Sequence, residues 1–314
     1  MYGKYTHAIH AGLLLIALIA PFGIYPVFLM KMLCFALYAC AFNLLLGYAG
    51  LLSFGHAAFF GLAAYTTGHV LKELGLPTPL GLALGTLAAG ALGFVVGLLA
   101  IRRQGIYFAM ITLALSQMVY FFFLQAPFTG GENGLQGIPR GSFFGLDLGN
   151  DLTLYYVVLG IFVAAYALIQ RTVHSPFGQV LKAIKENEPR AISLGYEVDR
   201  YKLLAMVLSA SLAGLAGALK SVVLQLASLG DAHWHASGEV VLMTLLGGMG
   251  TLLGPVVGAG TVVSLQNYLA SSPIGAYLPA PVVLGAIFVI CVLAFRRGFV
   301  GELLEVLRKS FNLR

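Results

Sequence analysis

The sequence predicts an all-α fold, a polytopic membrane protein of about 8–10 transmembrane helices. Three observations predict it. Only 10% of the 314 residues are charged and 59% are hydrophobic, whereas soluble domains run near about 25% charged. There is too little polar surface here to cover a water-facing globule. The charges are also clustered: no Asp, Glu, Lys or Arg occurs in Tyr5–Met30, Met32–Leu71, Leu74–Ile101, Gln104–Gly131, Leu152–Gln170 or Val240–Phe295. A spanning helix takes about 20 apolar residues. The 40-residue run Met32–Leu71 therefore holds two passes, and the 56-residue run Val240–Phe295 holds at least two.

The order of elements follows from these runs. Tyr5–Pro21 has the apolar core of a signal peptide, but no A-x-A site follows, and Pro21 stands where processing needs small residues. It reads as a retained first helix. Cytoplasmic loops carry the excess of Lys and Arg. Segments around Lys4, Arg102–Arg103, Arg171–Lys202 and Arg296–Arg314 hold 14 of the 18 basic residues. Placing them inside gives outward passes at 8–24, 54–71, 105–126, 201–226 and 252–270. Inward passes fall at 27–47, 79–101, 152–170, 239–250 and 281–296, with both termini cytoplasmic. The segment 239–250 is too short to cross alone. The chain is read as a single transmembrane domain, 1–314, with a cytoplasmic loop at 171–202. Its tail, Gly298–Arg314, puts Val300, Leu303, Leu304, Leu307 and Phe311 on one helical face, as a helix lying on the membrane surface does.

Composition also excludes readings. The net charge of +6 is explained by topology and does not point to nucleic acid. Cys34, Cys40 and Cys291 are odd in number and lie in apolar runs, as packing residues rather than a disulfide or metal framework. His233 and His235 flank Trp234 without an obvious third ligand, so no metal site is assigned. Small residues recur at Gly81, Gly85, Ala89, Gly93 and Gly97, and again at Ala210, Gly214 and Ala218. Such stripes let helices approach closely.

Two segments carry the candidate functional residues. "NLLLGYAGLLSFGHAAFFGLAAY" is apolar throughout, yet holds Gly47, Gly50, Ser53, Gly55 and His56. Two hundred residues later the chain reads "LLGGMGTLLGPVVGAG", with Gly247, Gly248, Gly250, Thr251 and Pro255. Paired Gly/Pro-interrupted segments in the two halves of a chain point to a central transport site. The interruptions free backbone N–H and C=O groups that must face protein or water rather than lipid. These residues are therefore assigned to a translocation path. Glu239, the sole acid before the long charge-free run, is read as opening the second segment, either capping its helix or meeting a substrate ammonium.

Five blocks together resemble a known family. They are "FNLLLGYAGLLSFGHAAFFGLAAYTTG", "GIYFAMITLALSQMV", "TGGENGLQGIP", "SPFGQVLKAIKENEPRAISLGYEVDRYKLLAMVLSASLAGLAGALK" and "GEVVLMTLLGGMGTLLGPVVGA". In this order they resemble the LivM-type permease subunits of bacterial branched-chain amino acid ABC importers, over about Phe42 to Gly301. The resemblance implies a multi-pass inner-membrane subunit paired with a LivH-type homologous permease. It also implies two cytoplasmic ATP-binding subunits and a periplasmic amino-acid-binding protein. In the loop 171–202 it maps the ATPase-coupling core onto Glu188, Ala191 and Gly195, with Glu186 beside it; Pro189 departs from the broader pattern. Similar permeases carry urea or short-chain amides, which is the alternative within the family.

The residues agree on the motor. ATP hydrolysis needs a G-x-x-x-x-G-K-[ST] loop, and the only Gly-Lys pair is Gly3–Lys4 without a Ser or Thr after it. No cofactor is expected on this chain; ATP belongs to the partners. An ion-coupled secondary transporter is the alternative from another class, but only Glu239 and Asp231 are available for coupling. No H-E-x-x-H or G-x-S-x-G is present, so an enzyme is not expected.

Overall fold

Proline marks where many of the helices begin. A computed structural model describes residues 12–272, 282–283, 285–287, 289 and 298–299. It contains α1 (Gly12–Phe22), α2 (Pro26–Asn43), α3 (His56–Lys72) and α4 (Thr78–Ala100). Then come α5 (Ile106–Gln125), α6 (Asp151–His174), α7 (Pro176–Glu186) and α8 (Glu188–Ser193). The long α9 (Val198–Leu224), α10 (Trp234–Gly247) and α11 (Gly254–Ser271) follow. Pro26, Pro79, Pro176, Pro189 and Pro255 occupy first-turn positions, where the missing N–H has no intrahelical partner to lose. Side chains cap the start of α6 and, beside their prolines, those of α7 and α8: Asn150 accepts from Leu152, Ser175 from Gly178 and Asn187 from Arg190.

The protein is a polytopic helical membrane protein. Among the described residues, five helices are long and apolar enough to cross a bilayer: α2 with the turn that extends it to Tyr48, α4, α5, α6 and α9. The sequence assigns full passes to α3 and a short one near α10 as well. At 14 residues α10 reaches about 21 Å at 1.5 Å per residue and does not cross about 30 Å of hydrocarbon alone, while α3, at 17 residues, is at the short end of the spanning range. The last inward pass, 281–296, and the tail Gly298–Arg314 lie outside the described residues apart from the few named above, as does Cys291. Cys34 and Cys40 are buried and free.

α9 is the centre of the bundle and packs on α2, α3 and α4. The two small-residue stripes meet here. A Cβ added at Gly93 would overlap Ala210, one at Gly214 would overlap Ala89, and one at Gly85 would lie 3.5 Å from Ala218. Gly217 sits directly over the Phe60 carbonyl of α3. Lipid gives helices no hydrophobic reason to associate, so this close van der Waals approach is what joins them.

The end of the bundle away from α7 and α8 is closed by the loop 126–150. Its strand β1 (Leu135–Gln136) pairs antiparallel with Leu226–Ala227, one residue beyond the end of α9, in the register Leu135↔Ala227. Arg140 holds Asp151 at 2.6 Å and donates to the Val223 carbonyl at 3.3 Å. Lys72 donates to the Gln136 carbonyl at 2.9 Å.

Candidate functional site

The two interrupted segments meet. α2 does not stop cleanly but widens into a π-helical turn, Leu44–Tyr48, and the chain then reverses at Gly50, whose φ is +75°. Between α10 and α11, Gly248 and Gly250 have φ of +115° and +78°. This is a left-handed backbone that a Cβ strains. Asn43 joins the two turns. Its Nδ2 donates to the Thr251 carbonyl at 2.8 Å, and its Oδ1 accepts from the Gly250 amide at 2.8 Å. Gly47 is as close as backbone allows: a Cβ there would lie 2.7 Å from the Gly250 nitrogen. Thr251 Oγ1 accepts from the Gly254 amide at 3.0 Å and donates to the Gly248 carbonyl at 2.8 Å, closing the second turn on itself.

The groups freed at the start of α3 also find partners. The Gly55 amide donates to Ser53 Oγ (3.1 Å), Phe54 to Thr112 Oγ1 (3.1 Å) and Ala57 to Ser237 Oγ (2.9 Å). An unpaired amide in hydrocarbon would cost several kcal/mol. His56 begins α3 in the interior of the bundle. Ser209 Oγ gives its one proton to the Ala41 carbonyl, so His56 Nε2 donates to Ser209, at 2.9 Å. The imidazole also meets the edges of Phe42 and Phe59 at 4.9 and 5.6 Å. It stitches α3 to α2 and α9.

Of the residues assigned to a path, Gly47, Ser53, Gly55, His56, Gly247 and Gly248 are buried within this chain; Gly250, Thr251 and Glu239 are half-buried and Gly50 is exposed. Glu239 stands apart from the turns. The expectation that it opens and caps its helix is corrected: α10 begins at Trp234, and His233 is the N-cap, accepting from the His235 amide. Glu239 lies in the second turn, where it accepts from Gln266 Nε2 at 3.1 Å and stands 3.9 Å from His235 Nδ1. Burial, and then its neighbour His235, lower the pKa of His233 from the usual histidine range.

The family model described as "Branched-chain amino acid transport system / permease component" matches residues 10–294. The chain belongs to this permease family. It is 30% identical over 241 residues to the high-affinity branched-chain amino acid transport system permease protein LivM of Salmonella typhimurium. That match covers 69% of this chain and 57% of the relative, so the chain spans little more than half the relative's length. The L-arabinose ABC transporter permease protein AraH of Azospirillum brasilense is 29% identical over 73% of this chain and 66% of its own. The ribose import permease protein RbsC of Bacillus subtilis is 32% identical over 54% of this chain and 52% of its own. No solved structure matches.

In this permease the loop 171–202 is two short helices set against the end of the bundle. α7 is strongly amphipathic: Leu181 and Ile184 are buried, Lys182 is half-buried and Lys185 is exposed. Lys185 Nζ reaches into the first glycine turn and donates to the Gly47 carbonyl at 2.7 Å, and Lys182 lies 5.7 Å from the centre of the Tyr48 ring. Glu186 ends α7 and Asn187 caps α8. Glu188 pairs with the buried Lys202 of α9 at 2.6 Å, Ala191 is buried, and Gly195 turns the chain with φ +87°. Ile192 and Leu194 remain 57% and 68% exposed beside them.

Sequence reasoning found both glycine turns but missed Asn43, Thr112, Ser209, Ser237 and Lys185. The signal was present for the first four. Each is a polar residue in an apolar helix, and such a residue needs a partner wherever water is absent.

Proposed function

We propose that this chain is the LivM-type permease subunit of an ABC importer carrying branched-chain amino acids across a bacterial inner membrane. It works with a LivH-type homologous permease, two cytoplasmic ATP-binding subunits and a periplasmic amino-acid-binding protein, and both of its termini are cytoplasmic. It needs no cofactor of its own. The observation that carries this reading is the α7–α8 turn. It offers Ile192 and Leu194 to a partner on one side and grips the Gly47 turn through Lys185 on the other. A docking surface linked directly to an interrupted membrane helix is what a chain without a phosphate-binding loop needs in order to use ATP hydrolysed elsewhere.

On this reading the paired turns Gly47–Gly55 and Gly247–Thr251 are the joint of the translocation path. Their backbone pairs are satisfied when closed, and their half-buried edge at Gly250 and Thr251 opens as α7 moves. The path itself runs past Glu239. The test is leucine uptake by proteoliposomes holding the four-part membrane complex and its binding protein. ATP-dependent uptake of leucine, isoleucine and valine is expected, unaffected by ionophores. Uptake of urea or acetamide instead would select the amide-carrying alternative. Uptake driven by an ion gradient without ATP would select a secondary transporter.

A further inference from the structure

We propose that the outward face of α11 is the seam against which the homologous permease packs. This rests on the permease reading above and adds where the two chains meet. A lipid-facing helix of this protein is apolar outside: α4 exposes Leu80, Leu84, Leu87, Phe94 and Leu98 and buries Gly81, Gly85 and Gly93. α11 is the reverse. Val262, Val263 and Leu269 are buried, where it packs on α2 and α10, while Thr261, Ser264, Asn267 and Ser271 are exposed. At 18 residues it has the length of a span, yet it is not among the helices apolar enough to cross a bilayer.

Two of these four polar side chains lack a partner. Thr261 donates to the Val257 carbonyl at 2.9 Å and Ser271 to the Asn267 carbonyl at 3.0 Å, within the helix. Gln266 turns aside to Glu239 of α10. The Ser264 hydroxyl and the Asn267 amide group bond to nothing among the described residues. α11 starts at the glycine joint, where the full span Pro26–Tyr48 also ends. Ser264 therefore lies about 15 Å along it, near the middle of the hydrocarbon, about 30 Å thick, where an unmatched polar group is costly. The last pass of this chain does not supply the match: residues 281–295 offer no side-chain partner beyond the weak thiol of Cys291. The ATP-binding subunits and the binding protein lie outside the membrane, so the second permease is the partner within reach. Val257, Thr261, Ser264, Tyr268 and Ser271 also recur at alternating steps of four and three, the spacing of a helix–helix seam. Polar side chains hydrogen-bond across such seams in membranes.

The test uses the whole complex in its membrane, with a diazirine amino acid placed at Ser264 or Asn267 by codon suppression. Leu87 and Met118, exposed on α4 and α5, are the control positions. Irradiation is expected to join positions 264 and 267 to the homologous permease, and the two controls to lipid. Adducts of 264 and 267 with lipid or water alone, with a second copy of this chain, or with its own residues 281–296 would each overturn the seam. In parallel, Ser264→Leu with Asn267→Leu is expected to lower co-purification of the homologous permease several-fold. The yield of this chain itself should not change, because both side chains are exposed in it. Ser264→Thr with Asn267→Gln keeps the hydrogen-bonding groups and is expected to retain the partner. Undiminished recovery with the leucine pair, or equal loss with both pairs, would overturn the seam as well. If the unmutated chain brings down no homologous permease, the permease reading falls and the seam with it.

Discussion

Lys185 Nζ and the Gly47 carbonyl lie 2.7 Å apart, although one belongs to the amphipathic α7 and the other to the π-helical turn that ends α2. A charge-assisted hydrogen bond of this kind is worth about 1.5–3 kcal/mol. It is also short and direct: a Cβ on Gly50 would lie 3.0 Å from Lys185 Cγ. A movement of α7 would therefore act on the Gly47 turn without an intervening element.

Lys185→Met should uncouple the machine rather than unfold it. The substitution keeps the aliphatic stem and removes only the donor. ATPase activity of the purified complex should persist, while leucine uptake falls roughly tenfold, the effect of about 1.4 kcal/mol. Equal loss of both activities, or of neither, would show that this bond does not carry the motion.

Asn43→Ala should weaken the joint. It leaves the Gly250 amide and Thr251 carbonyl without their partner, at about 1–3 kcal/mol for each unsatisfied group. Gly47→Ala should do similar harm by overlap with Asn43 and the Gly250 nitrogen, about 1–3 kcal/mol for an overpacked site. Gly160→Ala is the control, since nothing lies within 4 Å of its added Cβ. Melting curves of the detergent-solubilised complex should rank Gly160→Ala as neutral and the other two as clearly destabilised.

Ile192→Asp with Leu194→Asp should abolish co-purification of the ATP-binding subunits and leave the permease expressed and stable. Both side chains are exposed in this chain, so they contribute little to its own packing. Gly195 is a poorer test of docking: with φ +87°, any other residue strains the turn whether or not a partner is present.

Lys220→Met should be severely destabilising. Lys220 and Asp231 are 8% and 11% exposed, and breaking a buried pair typically costs about 3–5 kcal/mol because one charge is left alone. Adding Asp231→Asn should recover most of that loss, since asparagine stays neutral and keeps an acceptor for the Ser228 amide, now held by Asp231. A double variant no more stable than the single one would mean that the pair itself, not the stranded charge, matters.

Much was legible in the chain. Charge-free runs of lipid length determined the membrane class, because a charged side chain at the bilayer centre is too costly to scatter at random. The stripes Gly81–Gly97 and Ala210–Ala218 announced close helix packing, since only small residues permit it. The clusters at Gly47–Gly55 and Gly247–Thr251 announced two broken helices. Tertiary structure alone decided what these features do. That Asn43 bridges the two turns depends on α2 and α11 lying side by side, and no local pattern sets that contact across about two hundred residues of chain. That α10 starts at Trp234 rather than near Glu239 was set by the His233 cap and by the packing of the preceding loop on α3, which outweigh the absence of charge after Glu239. That Lys185 points inward to Gly47 while Lys182 lies over Tyr48 was set by how α7 docks on the bundle. Composition decides which segments can live in lipid; which polar atom meets which is decided by the packing that brings distant helices together.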